Sequence, residues 1–225
     1  MSHLDIELQQ LKAETVKMWT LVILQLRKGK ESLLKLDKDL ARELILSERR
    51  VNAYELKLDR DCENIFALFN PVAVDLRFVL AVLKINNNLE RTGDIAEGIA
   101  KFVMNVDSSF DKKLLEITSA VEMYEAAIEM MDEVLEAFEK EDTALARRAF
   151  QKDELLDDIN MKANSAIADY IRNHPENIEP ALYLLSIIRK LERVGDQVKN
   201  MAEEIIFYIE AKVLKHRSKI EKNKE

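Results

Sequence analysis

Glycine and proline are nearly missing from this chain, with 4 Gly and 3 Pro in 225 residues. Strands and tight hairpins need that punctuation, and long helices avoid it. The scarcity works against β and α/β architectures and favours an all-α protein. Cysteine is almost missing too. Cys62 is the only one, so no internal disulfide can form, as suits a reducing cytosol. Its neighbours Leu58, Ile65 and Phe66 mark it as an ordinary buried thiol. A catalytic cysteine would need a histidine partner, and His3, His174 and His216 all lie far from it in sequence. No run of 18 apolar residues occurs, so no membrane-spanning helix is expected. The opening MSHLDIELQQ carries early acids and no apolar stretch, so it does not read as a signal peptide, and a cytoplasmic location is expected.

What is present is charge and aliphatic bulk. The chain is 48% hydrophobic, enough for a sizeable core, and 34% charged with both signs interspersed. The net charge of −8 works against nucleic-acid binding. A basic tail over 212–224 reads as a solvated helix end, with a peripheral contact to an anionic surface or partner as the sharper alternative.

The breaks are few. A first helix begins near Leu4 and is closed or interrupted at Lys28-Gly29-Lys30. A second runs over 37–70, with Asp37 or Asp39 near its N-cap. Pro71 suits a first helical turn and opens a third helix ending near Val106. Asp107-Ser108-Ser109 is the best boundary between halves. A fourth helix covers about 111–140, and a fifth runs from the turn at Glu141-Asp142-Thr143 to Asn173. The sixth starts near Glu179-Pro180 and ends near Lys215. The expected fold is therefore all-α, with six long helices in two tandem antiparallel three-helix bundles, residues 1–106 and 107–225.

The halves repeat each other. The sixth helix has a seam of Leu184, Ile188, Leu191, Gly195, Val198, Ala202 and Ile205. The third has Val82, Asn86, Leu89, Gly93, Ala96, Ala100 and Val103, each 102 residues earlier, as Gly93 is from Gly195. The strongest trace is LERTGD at 89–94 against LERVGD at 191–196. A glycine inside a helix costs about 1 kcal/mol relative to alanine, so glycine at matching positions implies a close helix–helix approach.

Residues four apart share a helix face, so Glu90/Asp94 and Glu192/Asp196 are carboxylate pairs beside that seam. Folding each hairpin about its proline brings a second pair across. Glu48 and Asn52 would face the first, and Asp153 and Asp157 the second. Clustered carboxylates repel one another, and they persist only with protons or cations among them. Oxygen donors alone suit hard cations such as iron, manganese, magnesium or calcium. The first set contains Asn52 in place of an acid and is expected to bind more weakly. Arg91 and Arg193 offer the competing reading, ion pairs to these same acids. No Glu-x-x-His occurs, no histidine lies near either set, and no phosphate-binding glycine loop is present, so no enzyme is expected.

These residues resemble the PhoU family of phosphate-uptake regulators. Its hallmark, Leu-Glu-Arg-Ile-Gly-Asp, occurs once per half. Its Pro-x-Ala-x-Asp-Leu-Arg segment is matched without a break by 71–77. The resemblance covers essentially the whole chain. It implies two similar three-helix bundles, and a multinuclear metal cluster on each half. Iron is the first candidate, with zinc, manganese or magnesium behind it. The ligands would be Glu48, Asn52, Glu90 and Asp94, then Asp153, Asp157, Glu192 and Asp196. It also implies cytoplasmic partners, the ATP-driven phosphate transporter and the phosphate sensor histidine kinase, and a homodimer. Asp75 and Arg77 are either partner-binding or an internal ion pair that fixes the turn. Two other classes stand beside this reading: an accessory protein of an ion-coupled phosphate transporter, and a non-catalytic helical scaffold.

Overall fold

The computed structural model describes residues 2–214. Seven α-helices are found among them: α1 His3–Lys35, α2 Lys38–Phe69, α3 Ala73–Asn105, α4 Lys112–Ile117, α5 Ala120–Lys140, α6 Thr143–Asn173 and α7 Ile178–Glu210. Six are long, as expected, and α4 is a short detached turn. The helix starts follow local chemistry. Ser2 and Asp5 form a reciprocal capping box on α1. Asp37 and Asp142 each accept two backbone N–H groups, at the starts of α2 and α6. Each follows a left-handed residue, Leu36 or Glu141, that ends the helix before it. The same two-residue turn is thus used in both halves.

Helices α1, α2 and α3 pack on one another, as do α5, α6 and α7, and α3 also packs on α7 and α1 on α5. The buried side chains form one continuous core. Its centre joins the halves through aromatic rings. Trp19 of α1 stacks on Phe138 of α5 at 5.8 Å, and Phe78 of α3 meets Tyr208 of α7 edge-on at 5.4 Å. Cys62 is buried, and burial pushes its thiol up to about 12, as befits an inert core position.

Four expectations change. Gly29 does not stop α1, which runs on to Lys35. The glycine is there for space. A Cβ on it would collide with the Tyr124 hydroxyl and sit 3.4 Å from Leu44 Cδ1. The expected fourth helix is split after Ile117. The Thr118 hydroxyl donates back to the Leu114 carbonyl at 2.7 Å, and Ser119 adopts φ 49°, so the chain turns before α5. Helix α7 ends at Glu210 rather than near Lys215, with Ala211 left-handed at φ 54°. The third helix also starts two residues after Pro71, at Ala73. The basic tail beyond residue 214, with His216, lies outside the described residues.

Tyr124 is fully buried, and its hydroxyl has no hydrogen-bond partner among the described residues. Gly29→Ala should therefore lower stability by about 1–2 kcal/mol despite alanine's better helix propensity. Tyr124→Phe removes the clashing, unpartnered oxygen. The double variant should recover most of the loss in urea melts, and simple additivity would show that the two sites do not touch.

Candidate functional site

The LERxGD motifs divide between two faces. Leu89, Thr92 and Gly93 are buried in α3, and Leu191, Val194 and Gly195 in α7. Arg91 and Arg193 are exposed, and Glu90 and Glu192 are half-buried. Each glycine faces a carboxylate of the preceding helix. A Cβ on Gly93 would lie 3.0 Å from Glu48 Oε2 and 3.2 Å from Val51. One on Gly195 would lie 3.0 Å from Asp153 Oδ1 and 2.8 Å from Leu156. The glycines therefore let α2 and α6 come close, and each close approach carries a buried acid. Glu48 is 5% exposed and Asp153 is 4% exposed.

The two acids are handled differently. Gln25 of α1 donates to Glu48 Oε2 at 3.0 Å and to the Ser47 hydroxyl at 3.0 Å. Glu48 Oε1 and Gln25 Oε1 are buried without partners among the described residues. Burial pushes the Glu48 carboxyl up to about 7 against the help of Gln25, and Asp94, Glu97 and Glu90 push the same way. Burial also raises Glu90 and Glu55, with Asp94 adding repulsion to both. In the second half Lys199 enters the cluster. Its ammonium pairs with Asp153 and donates to Asp196 Oδ1 at 3.2 Å. Burial raises Asp153, and Lys199 opposes the rise. Glu192 is raised by burial, then by Asp196, Asp157 and Asp153. Burial would lower Lys199, but its contacts with Asp153 and Asp196 win and raise it.

Acids of each half are thus close enough to repel one another, around Glu48 in the first and Asp153 in the second. Asn52 and Asp157 stand exposed at the edges, as does Asp94. Among the described residues no three His, Cys, Asp or Glu side chains are arranged to hold a metal ion. Nor does either motif arginine have a carboxylate within ion-pair distance there. The residues that sequence reasoning missed are Gln25, Glu97 and Lys199. Positions 97 and 199 are 102 residues apart, the repeat offset, so the charge reversal between them stands in the sequence when the two halves are aligned.

Arg77 donates its Nε–H to the Tyr208 carbonyl at 3.2 Å, tying the start of α3 to the end of α7. It forms no ion pair with Asp75 among the described residues. Asp75 lines a small hollow with Lys12, Phe78, Glu141 and Tyr208. Around it, Leu68, Val72 and Val74 are 71%, 70% and 50% exposed, an apolar tip on the α2–α3 turn.

The arrangement defines a class: a duplicated, all-helical bundle with an acid-lined glycine crossing in each half. The chain belongs to the PhoU domain family, which matches residues 15–103 and again 120–205. It is 31% identical over 214 residues to the phosphate-specific transport system accessory protein PhoU homolog 1 of Thermotoga maritima, covering 95% of this chain and 91% of the relative. The crystal structure of PhoU from Pseudomonas aeruginosa matches with a TM-score of 0.86 at 27% identity, over 92% of this chain and 99% of that one. The phosphate transport system regulatory protein PhoU from Streptococcus pneumoniae matches at 0.84 and 26%, over 94% and 99%.

Glu48 yields a pH dependence. Its carboxyl titrates at about 7 folded and near 4.5 when exposed. A raised carboxyl holds its proton more tightly in the folded state. Its contribution is therefore full below 4.5 and is lost as pH rises through 7. With a chelator present, urea stability should fall by about 2 kcal/mol between about pH 5 and pH 8. Glu48→Gln should flatten that slope, and an unchanged slope in the variant would place the proton elsewhere.

Proposed function

We propose that the chain is a non-catalytic cytoplasmic adaptor that restrains phosphate uptake and the phosphate-starvation response. Its partners would be the ATP-driven phosphate transporter and the phosphate sensor histidine kinase, engaged as a homodimer. The observation that carries the reading is the pair of LERxGD crossings, each placing a buried carboxylate against glycine, on a family fold whose relatives are named as phosphate-transport accessory and regulatory proteins. No helix among the described residues is long and apolar enough to cross a membrane, so contact with a transporter would be peripheral. The apolar tip around Asp75 and Arg77 is the surface offered for such contact.

The donor chemistry bears on the metal that the family resemblance implies. The first cluster suits a cation, because Glu48 Oε1 and Gln25 Oε1 are orphaned in a setting with no lysine bonded to Glu48. Glu48, Glu90 and Asp94 would hold it, with Asn52 at the edge, after side-chain rotations that converge them. Iron is the first candidate, with zinc, manganese and magnesium behind it. The cation would supply neutralising charge and a positive face toward partners. In the second cluster Asp153, Asp157, Glu192 and Asp196 are already served by Lys199 and suit a metal less well, which reverses the order expected from Asn52 alone.

Deleting the gene should leave phosphate uptake and starvation-gene expression high in phosphate-replete cells, and unchanged uptake would sink the regulatory reading. Metal content is a separate measurement. Elemental analysis of the purified chain should show a cation that Glu48→Gln or Asp94→Asn removes. Lys199→Thr should raise the content by opening the second cluster. It should also cost about 2–3 kcal/mol without metal, since Asp153 then lacks its counter-charge.

A further inference from the structure

Helices α3 and α7 run antiparallel. Phe102 meets Tyr183 at 5.6 Å at one end, and Lys84 pairs with Glu204 at 3.0 Å toward the other. The two motifs cross between these contacts, so Arg91 and Arg193 open onto the same cleft. That cleft encloses 470 Å³, and its charged lining is Arg91, Asp94, Glu97, Lys101, Lys190 and Arg193.

We propose that this cleft binds a tetrahedral oxyanion of the phosphate class, as the free ion or as a monoester head group. Four cations face two carboxylates, leaving two positive charges for a dianion to balance. Among the described residues Lys101 alone of the four is paired, with Glu97 at 2.5 Å. Arg91, Lys190 and Arg193 have no carboxylate partner within 4 Å among the described residues. Unpaired cations that line one cleft, with Lys190 half-buried among them, repel one another, and a bound anion removes the cost. Two guanidinium groups supply planar forks that match phosphate oxygens. Lys190 is held in place. Its ammonium lies 5.7 Å above the Phe102 ring and fills the space that a Cβ on Gly98 would take.

The duplication does not generate this cleft by itself. Displaced by the repeat offset, Lys101 becomes Glu203, Lys190 corresponds to Asn88, and Gly98 becomes Asn200. The basic character belongs to one side of the crossing only. The inference is independent of the regulatory reading, because it is tested on the purified chain.

The test is calorimetric titration of the chelator-treated full chain with inorganic phosphate, and separately with phosphatidate-containing vesicles. Saturable binding is expected in at least one arm, and the arm that binds identifies the source. Lys190→Gln and Arg193→Gln should each weaken it about tenfold or more. Arg148→Gln, which removes an exposed charge outside the cleft, should leave it unchanged. Thermal melts confirm that each variant folds, and exposed Arg193 is a safe site for the purpose. Absence of saturable binding in both arms would overturn the proposal. So would Lys190→Gln and Arg193→Gln variants that bind like wild type, or an Arg148→Gln loss as large as theirs.

Discussion

A carboxylate held in a dry helix crossing must take a proton or find a cation, and each half of this protein is built around one such group. Glycine at 93 and 195 lets the helices close over the acid, so the acid cannot escape to water without opening the core. The first half leaves Glu48 to a neutral donor, Gln25, with one oxygen orphaned. The second half gives Asp153 the ammonium of Lys199. The backbone arrangement is the same, but among the described residues a lysine meets the buried acid in the second half and only a neutral amide meets it in the first.

The antiparallel crossing of α3 and α7 makes the two halves one object. It brings both motifs to the middle of the molecule, and the aromatic contacts among α1, α3, α5 and α7 lock the halves beside it. A single continuous core follows. The two bundles are therefore repeats in sequence that share their packing, so a charge placed on one motif is felt on the other helix. Lys190 of α7 responds to Asp94, Glu97 and Lys101 of α3 in this way.

Much of this was legible in the sequence, for physical reasons. Long helices follow from apolar periodicity with little glycine or proline, and the repeat is written in the two seams. The hairpin count placed Glu48 and Asp153 within one residue of their true partners, because two straight antiparallel helices keep register from the turn. Gly29 was misread as a stop because sequence cannot separate a glycine that ends a helix from one that admits a neighbour's tyrosine. The break at Thr118-Ser119 was hidden, since a threonine bonding back to its own helix looks like any helical threonine. Lys199 is marked in the sequence only by its opposite sign to Glu97 at the repeat offset, and a lysine on a charged helix gains its meaning only once its neighbour Asp153 is known to be buried.

Position 97 and its copy at 199 tie these strands together. Lys199 turns inward and settles Asp153, so its charge is spent within the second cluster. Glu97 adds to the acids around Glu48 and pairs outward with Lys101, which lines the interhelical cleft. One exchange of sign at equivalent positions therefore does two things. It leaves the first acid cluster short of positive charge, and it anchors positive charge in the cleft beside it. A protein duplicated from one three-helix unit acquires an acidic site and a basic site on neighbouring faces of α3 without any change in its backbone plan.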